Sequence, residues 1–170
     1  MKDMPNINYR TATVLDLPQL KKLGLTAYGQ FQNVLDKGNW EQMKANLADE
    51  NNYLHLLKVG KCFVGELENQ IVGMAFYIPN GNPSKYFESN WSYIRHVGVH
   101  PKMEGNGIGR KLVQQCIDFA RESGLEWIAL HTSEFQNAAR HLYESLGFTR
   151  HKDLGLNLGK NYYLYLLHLN

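Results

Sequence analysis

The chain has little of what would place it in several large classes. It holds only two cysteines, Cys62 and Cys116, each inside an apolar, patterned segment. That excludes a disulfide scaffold and reads as reduced core thiols. The formal net charge is +2, too small by itself to argue for a nucleic-acid or membrane partner. There is no long basic run and no low-complexity tract, and no stretch approaches the roughly 20 apolar residues of a membrane span. With no segment that reads as a signal peptide, the expected compartment is the cytoplasm. What is there is ordinary for a globular protein: 170 residues, 44% hydrophobic and 20% charged, with no composition shift or linker. One domain over residues 1–170 is expected, its core at about 8–169.

The pattern of elements is α/β. NINYRTATV, Asn6 to Val14, reads as a strand. Asp16 is expected to cap a helix, with Pro18 in its first turn and Gln19 at the capping-box position. A second helix is expected after Asn39, while NNYLHLLK fits a helical turn or a strand. KCFVGEL and QIVGMAFYIP flank a polar turn at Glu68-Asn69-Gln70, a hairpin signal. WSYIRHVGVHP is a strand stopped by Pro101. A helix with Ile108, Leu112, Cys116 and Phe119 on its apolar stripe follows, then the strand EWIALHT. A helix opened by Ser133 and Gln136 ends at Gly147, and NYYLYLLHL is the last strand. The order is β-α-α, three strands, then α-β-α-β, folded around a mixed sheet.

VHPKMEGNGIGRKLV places Gly105, Gly107 and Gly109 at alternate positions before a helix. Amides at a helix start are unpaired and partly positive, and glycines let a phosphate approach them. A plain tight turn needs one glycine, not three. The dinucleotide fingerprint fails because Arg110 takes the third glycine place. The Walker loop fails because no Ser or Thr follows Lys111. A pyrophosphate loop of another kind and a simple turn both remain open on spacing alone.

The later helix puts Phe135, Ala139, Leu142 and Leu146 on one stripe at about 100° per residue. Tyr143 falls about 60° from the centre of that stripe, with Gln136 on the same flank. A boundary aromatic with its hydroxyl in water is the ordinary expectation for such a tyrosine.

Together, VGVHPKMEGNGIG and the run of Ala139, Leu142, Tyr143, Gly147 and Phe148 resemble the GNAT superfamily of acetyl-CoA-dependent N-acetyltransferases. The likeness also takes in YRTATVLDLPQL and spans nearly the whole chain. It departs from the family pattern at Glu104, where Gln or Arg is usual, and at Gln136, where Asn is common and Asn137 stands one place late. The resemblance implies a single α/β (α+β) domain with a mixed, mostly antiparallel sheet flanked by helices. Two strands splay to form the acetyl-CoA cleft. It implies pantetheine pairing along Val97, Gly98 and Val99, and pyrophosphate on the amides of Gly105, Asn106, Gly107, Ile108, Gly109 and Arg110. Gln136, or more weakly Asn137, carries the remaining cofactor contact. Lys102 and Arg110 stand where cofactor phosphates or plain solvent would meet them.

The implied reaction is direct transfer of acetyl from acetyl-CoA to a primary amine of a small molecule or peptide, with no metal. Tyr143 resembles the general acid for the departing thiolate, and an amide near Val97 or Gly98 the oxyanion donor. Tyr28, Tyr93 and Arg95 are the expected acceptor contacts. Arg95 needs a partner, either a substrate carboxylate or an internal acid such as Glu66 or Glu68. Strand parity puts His96 on the face away from Tyr93 and Arg95, as a core histidine, unless a bulge reverses it. The base is therefore His96 or a water relay. A CoA-binding sensor without turnover and an acyltransferase for longer acyl-CoA are the alternatives. A homodimer is left open.

Overall fold

In the computed structural model, which describes residues 3–170, seven strands form one sheet in the order β1-β2-β3-β4-β5-β7-β6. The chain runs β1 (Asn8–Thr11), α1 (Leu17–Tyr28), α2 (Lys37–Ala48), α3 (Glu50–Val59), β2 (Lys61–Leu67), β3 (Gln70–Ile78) and β4 (Ser92–Val99). It continues through α4 (Ile108–Glu122), β5 (Trp127–Ser133), α5 (Asn137–Ser145), β6 (Thr149–Asn157) and β7 (Lys160–His168). Every neighbouring pair is antiparallel except β4 and β5. The result is an α/β domain with a mostly antiparallel sheet and helices on both faces.

Alternation along the central strands sets the two cores. On β3, Met74, Phe76 and Ile78 face α1 and α3, packing with Leu20, Leu23 and Tyr53. Ala75 and Tyr77 face α4, packing with Ile108, Leu112, Cys116 and Ile117. A strand buried on both faces reads as a continuous apolar run, which is what QIVGMAFYI is. Gly73 is the exception with a reason: a Cβ there would lie 2.5 Å from Ile108 Cγ2 and 3.0 Å from Leu112 Cδ1. The start of α4 sits that close to the sheet.

The N-terminal expectations need correction. Asp16 stands at the N-cap of α1, with Pro18 in the first turn as expected, but its side chain makes no capping bond to that helix. It is the acid of a capping box one turn earlier, accepting from the Thr13 N–H at 2.8 Å, while Leu15 N–H donates to Thr13 Oγ1. Its carboxylate also takes Arg10, which bridges at 2.8 Å to Asp16 and 2.7 Å to Glu66. That hydrogen bond from Arg10 holds the Asp16 carboxyl below the usual range, against a smaller opposing effect of burial. Gln19 does not cap either. Its Oε1 accepts from Ile71 N–H at 2.8 Å and its Nε2 donates to the Asn69 carbonyl, pinning the β2–β3 hairpin onto α1. In that hairpin Glu68 and Asn69 both have positive φ, the two-residue turn that matches strand twist.

Other boundaries moved as well. The first strand covers only Asn8–Thr11 of the expected Asn6–Val14. Helix α2 starts at Lys37, because Asp36 accepts from Asn39 N–H at 2.9 Å. NNYLHLLK is helical, and buries Tyr53 and Leu56. Ser133 ends β5 rather than opening a helix; α5 begins at Asn137 with Gln136 at its cap. Strand β6 was not expected at all. It is an edge strand, almost wholly exposed, and TRHKDLGLN carries charges where a buried strand would alternate.

Candidate functional site

The site depends on how β4 departs from ideal pairing. Arg95 pairs with Phe76 and Gly98 with Met74, so His96 and Val97 together oppose the single residue Ala75. His96 sits at φ +50°. This bulge reverses the parity expected for His96. Its ring packs 5.5 Å from Tyr53 and 5.9 Å from Phe76, on the same face as Arg95. On the other side, β4 pairs with β5 only at Ser92 and Tyr93. Beyond that the two parallel strands separate, and a V-shaped gap opens between them.

Two cavities occupy this gap. The larger, about 620 Å³, is bounded by Val97, Gly98 and Val99 of β4, by the loop and first turn from Gly105 to Arg110, and by Gln136, Asn137, Leu142 and Tyr143. Its floor is the start of α4. Gly105 and Gly107 have φ of +79° and +75°, and a Cβ on either would meet nothing within 4 Å. Glycine is there for backbone conformation and open approach. Gly107 caps α4 with no side-chain hydrogen bond, and the first turn holds no acidic residue. The amides of that turn are left for a ligand's anionic group, which helix polarity favours. These residues fit the pyrophosphate of a coenzyme A thioester.

Not every expected contact in this groove is made by a side chain. Ile108 is buried against β3, so only its backbone faces the groove. Asn106 folds back, donating from Nδ2 to the Met103 carbonyl at 2.9 Å and to Glu104, and does not line the groove. Arg110 donates to Ser145 Oγ, tying α4 to α5. Gln136 Oε1 accepts from the Ser133 N–H and hydroxyl and from Thr132 Oγ1, at 3.1, 2.8 and 3.2 Å. Only its Nε2 is left for a ligand. Asn137 is exposed and holds the Arg140 guanidinium. Lys102 is exposed on the turn before the loop. Glu104 lies exposed at the groove edge and accepts from Gln30 Nε2 at 3.5 Å.

The smaller cavity, about 170 Å³, lies on the other side of β4 and is lined by Arg95, His96, His131, Tyr162 and their neighbours. Tyr28, Val97, Gln136 and Tyr143 border both cavities, so this is where they join. Tyr28 donates from its hydroxyl to the Val97 carbonyl at 3.2 Å. Tyr143 is the one buried residue of α5, not a boundary aromatic; Ala139, Leu142 and Leu146 of the expected core stripe are only half-buried. Its hydroxyl has no hydrogen-bond partner among the described residues. Burial raises the Tyr143 phenol above its ordinary value, with Tyr28 adding to the effect. Burial likewise pushes Tyr28 up to about 12, against the pull of Arg95. Both phenols stay protonated at neutral pH and can donate.

Tyr93 is not in either cavity. It is buried, stacks on Phe87 at 4.1 Å and donates to the Asn82 carbonyl at 2.9 Å, ordering the loop from Gly81 to Asn90. Arg95 does line the smaller cavity, and neither proposed internal acid reaches it: Glu66 is held by Arg10. His131 and Tyr162 were missed. His131 is a polar residue near the end of an otherwise apolar strand beside the splay, a signal that could have been followed. Desolvation, and then Arg95, push both His96 and His131 down to about 3. Among the described residues, no three His, Cys, Asp or Glu side chains converge as a metal site, and no helix is long and apolar enough to cross a membrane.

Comparison with known proteins agrees with this geometry. Residues 30–148 match the model of the Acetyltransferase (GNAT) family. Human N-acetyltransferase 8B is 34% identical over 97 residues, covering 56% of this chain and 42% of that protein. The chain spans about half the length of the curated relatives it matches. The crystal structure of a ribosomal-protein-alanine N-acetyltransferase from Brucella melitensis aligns over 95% of this chain and 99% of that one, with a TM-score of 0.71 and 27% identity. An acetyltransferase structure from Salmonella typhimurium, solved with its cofactor acetyl-CoA, aligns over 96% and 94% with a TM-score of 0.70 and 22% identity.

Proposed function

The chain belongs to the GNAT acetyltransferase family, and on that footing we propose that it is an N-acetyltransferase that moves the acetyl group of acetyl-CoA directly to a primary amine. One observation carries the reading. A groove with an uncapped helix start at one end meets a second cavity at two protonated tyrosines, Tyr143 buried and Tyr28 half-buried. Two reactants held on opposite sides of one short junction is what a direct transfer needs.

When bound, acetyl-CoA supplies an acyl thioester. The protein's part begins with the amides from Gly105 to Arg110, which hold the pyrophosphate, while the free edge of β4 at Val97 to Val99 orders the arm leading inward. Gln136 Nε2 is a further donor at the junction. The amine nitrogen bonds to the acyl carbon and the carbon–sulfur bond breaks. Backbone N–H groups of the bulged stretch of β4 stabilise the developing oxyanion. Tyr143 donates its proton or a hydrogen bond to the departing sulfur. Its hydroxyl suits that role because it is protonated and unpartnered. The acceptor ammonium must first lose a proton. His96 and His131, with values near 3, are poor acceptors for it. Water in the open groove takes that proton. Tyr28 and Arg95 face the acceptor. Free, buried Cys62 and Cys116 suit a reducing compartment such as the cytoplasm.

The test is titration of acetyl-CoA into the protein, followed by thiol release with a panel of amino acids, polyamines, aminoglycosides and peptide N-termini. Both native cysteines are fully buried, so they add little background to a thiol reagent. Binding together with turnover of an amine is expected. Binding without turnover of any amine turns the reading into that of a sensor. Absence of binding removes it altogether.

A further inference from the structure

The smaller cavity holds a cation with nothing to balance it. Every other arginine in the chain has a partner. Arg10 pairs with Asp16 and Glu66, Arg110 with Ser145, Arg121 with Asp118, Arg140 with Asn137, and Arg150 with Asp153. Arg95 makes no hydrogen bond and no ion pair among the described residues, although it is half-buried. No Asp or Glu lines the cavity. A second polar group is also unmatched there: His131 Nδ1 is buried with no hydrogen-bond partner. The remaining walls mix apolar side chains such as Met43, Leu47 and Leu158 with the uncharged polar groups of Asn46, Thr132, Asn157 and Tyr162.

These facts constrain the acceptor. A guanidinium taken partly out of water without a counter-ion is costly, and a ligand carboxylate would offset that cost. The planar fork of arginine matches a carboxylate with two parallel hydrogen bonds. A polyamine or aminoglycoside would bring several positive charges into a cavity whose only charge is already positive. At about 170 Å³ the space suits a small molecule. Arg95 is two residues along β4 from Val97, and the bulge at His96 keeps the separation below the roughly 7 Å that two residues of extended strand would span, so the anion and the reacting amine must lie close together in one compact molecule.

We propose that the acceptor is a free amino acid with an uncharged side chain, its carboxylate paired with Arg95 and its α-amine directed to the junction at Val97 and Tyr143. This rests on the reading of the chain as an N-acetyltransferase. The cation at Arg95 selects the substrate, and the His96 and His131 imidazoles, kept neutral by desolvation and by Arg95 itself, leave the carboxylate its one charged partner.

The test compares phenylalanine, leucine and methionine with their primary amides at saturating acetyl-CoA, in the wild type, Arg95→Gln and Arg95→Lys. Amidation lowers the basicity of the α-amine and so favours its reactive form. A preference for the acid must therefore come from the protein. For at least one pair, kcat/KM should favour the acid on the order of 10- to 100-fold, the size of a charged hydrogen-bonded contact. Arg95→Gln should bring that ratio near one, Arg95→Lys should keep part of it, and the acetyl-CoA dissociation constant should stay the same in all three. Equal use of acids and amides by the wild type, or a ratio that survives Arg95→Gln, overturns the assignment. If no amine is acetylated, calorimetric binding of the same six compounds in the presence of CoA decides. An Arg95-dependent preference for the acids would keep the carboxylate site and sink the transferase reading; no preference would overturn the site.

Discussion

The groove and the pocket share a border but are made of different material. The groove offers backbone: a helix start, an open strand edge, and glycines that keep side chains out of the way. The pocket offers side chains drawn from α1, α2, β4, β5 and the β6–β7 turn. Backbone recognition suits a ligand that never changes, since it constrains a short local stretch and leaves the rest of the chain free. Side-chain recognition can be altered one residue at a time. The same fold can therefore keep its groove fixed while its pocket varies.

That division can be broken most sharply at the border itself. Tyr143→Phe keeps the ring and its packing against Phe148 and removes only the hydroxyl. If Tyr143 acts on the leaving sulfur, kcat should fall about 100-fold, the low end for a general acid because a thiolate already leaves well. The acetyl-CoA dissociation constant, read by titration, should hold within about twofold. A kcat within about threefold of wild type would make Tyr143 part of the wall and nothing more.

A change confined to the groove should be the next largest. Gly107→Val places a β-branched residue at φ +75°, which L-residues adopt at a cost of about 1–2 kcal/mol. Acetyl-CoA affinity should drop more than about tenfold, because the loop amides are displaced, and the melting temperature should fall by several degrees. Unchanged affinity in a folded variant would detach the cofactor from this loop.

The pocket should reveal itself through acid. His96 and His131 titrate near 3 when folded and near 6.5 when unfolded. Their neutral, buried forms contribute stability that is full above pH 6.5 and is lost as pH falls toward 3. His131 sits among Tyr86, Phe87 and Tyr162, with ring centroids 5.5 to 5.9 Å away. His131→Phe should fit that cluster and flatten the fall in melting temperature between pH 7 and pH 5. A variant with the wild-type slope would remove His131 from the account. The smallest effect belongs to Glu104, exposed at the groove edge and held toward Gln30. Glu104→Gln should tighten acetyl-CoA about two- to threefold at low salt and not at high salt, as screened charges do. No gain at low salt would mean that the carboxylate points away from the phosphates.

The same contrast explains what could be read before the structure. The glycine run and the run ending in Gly147-Phe148 were legible because each constrains contiguous residues, and they led to the fold, the groove and Tyr143. The pocket was not legible. Arg95 stood out only as a charge in an apolar strand, and its lack of a partner follows from register: Glu66 lies opposite Ile71 of β3 and Arg95 opposite Phe76, too far along the sheet to meet. His131 and Tyr162 converge only after β5 and β7 pair. Tyr93 obeyed the expected parity and still went to the core, because Phe87 covers it. Asp16 and Gln19 had the right residue types for capping α1, but the nearby Thr13 N–H and Arg10 took the first side chain and the distant Ile71 N–H the second. Strand β6 lacked any alternation because an exposed edge does not need one.

The bulge in β4 also bears on how this chain is to be aligned with others. Tyr93 and Arg95 lie on one face and Ile94 on the other, while beyond the bulge Gly98 lies on the first face and Val97 and Val99 on the second. Strike out His96 and the alternation runs unbroken from Arg95 to Val97. His96 is thus the inserted residue, and a gap placed against it leaves every other side chain of the strand on its own face. A gap one position to either side would have to take out Arg95 or Val97 instead. Two aligned chains that differ in length here can share an identical sheet on both sides of the gap and still differ in the one place where β4 borders both cavities.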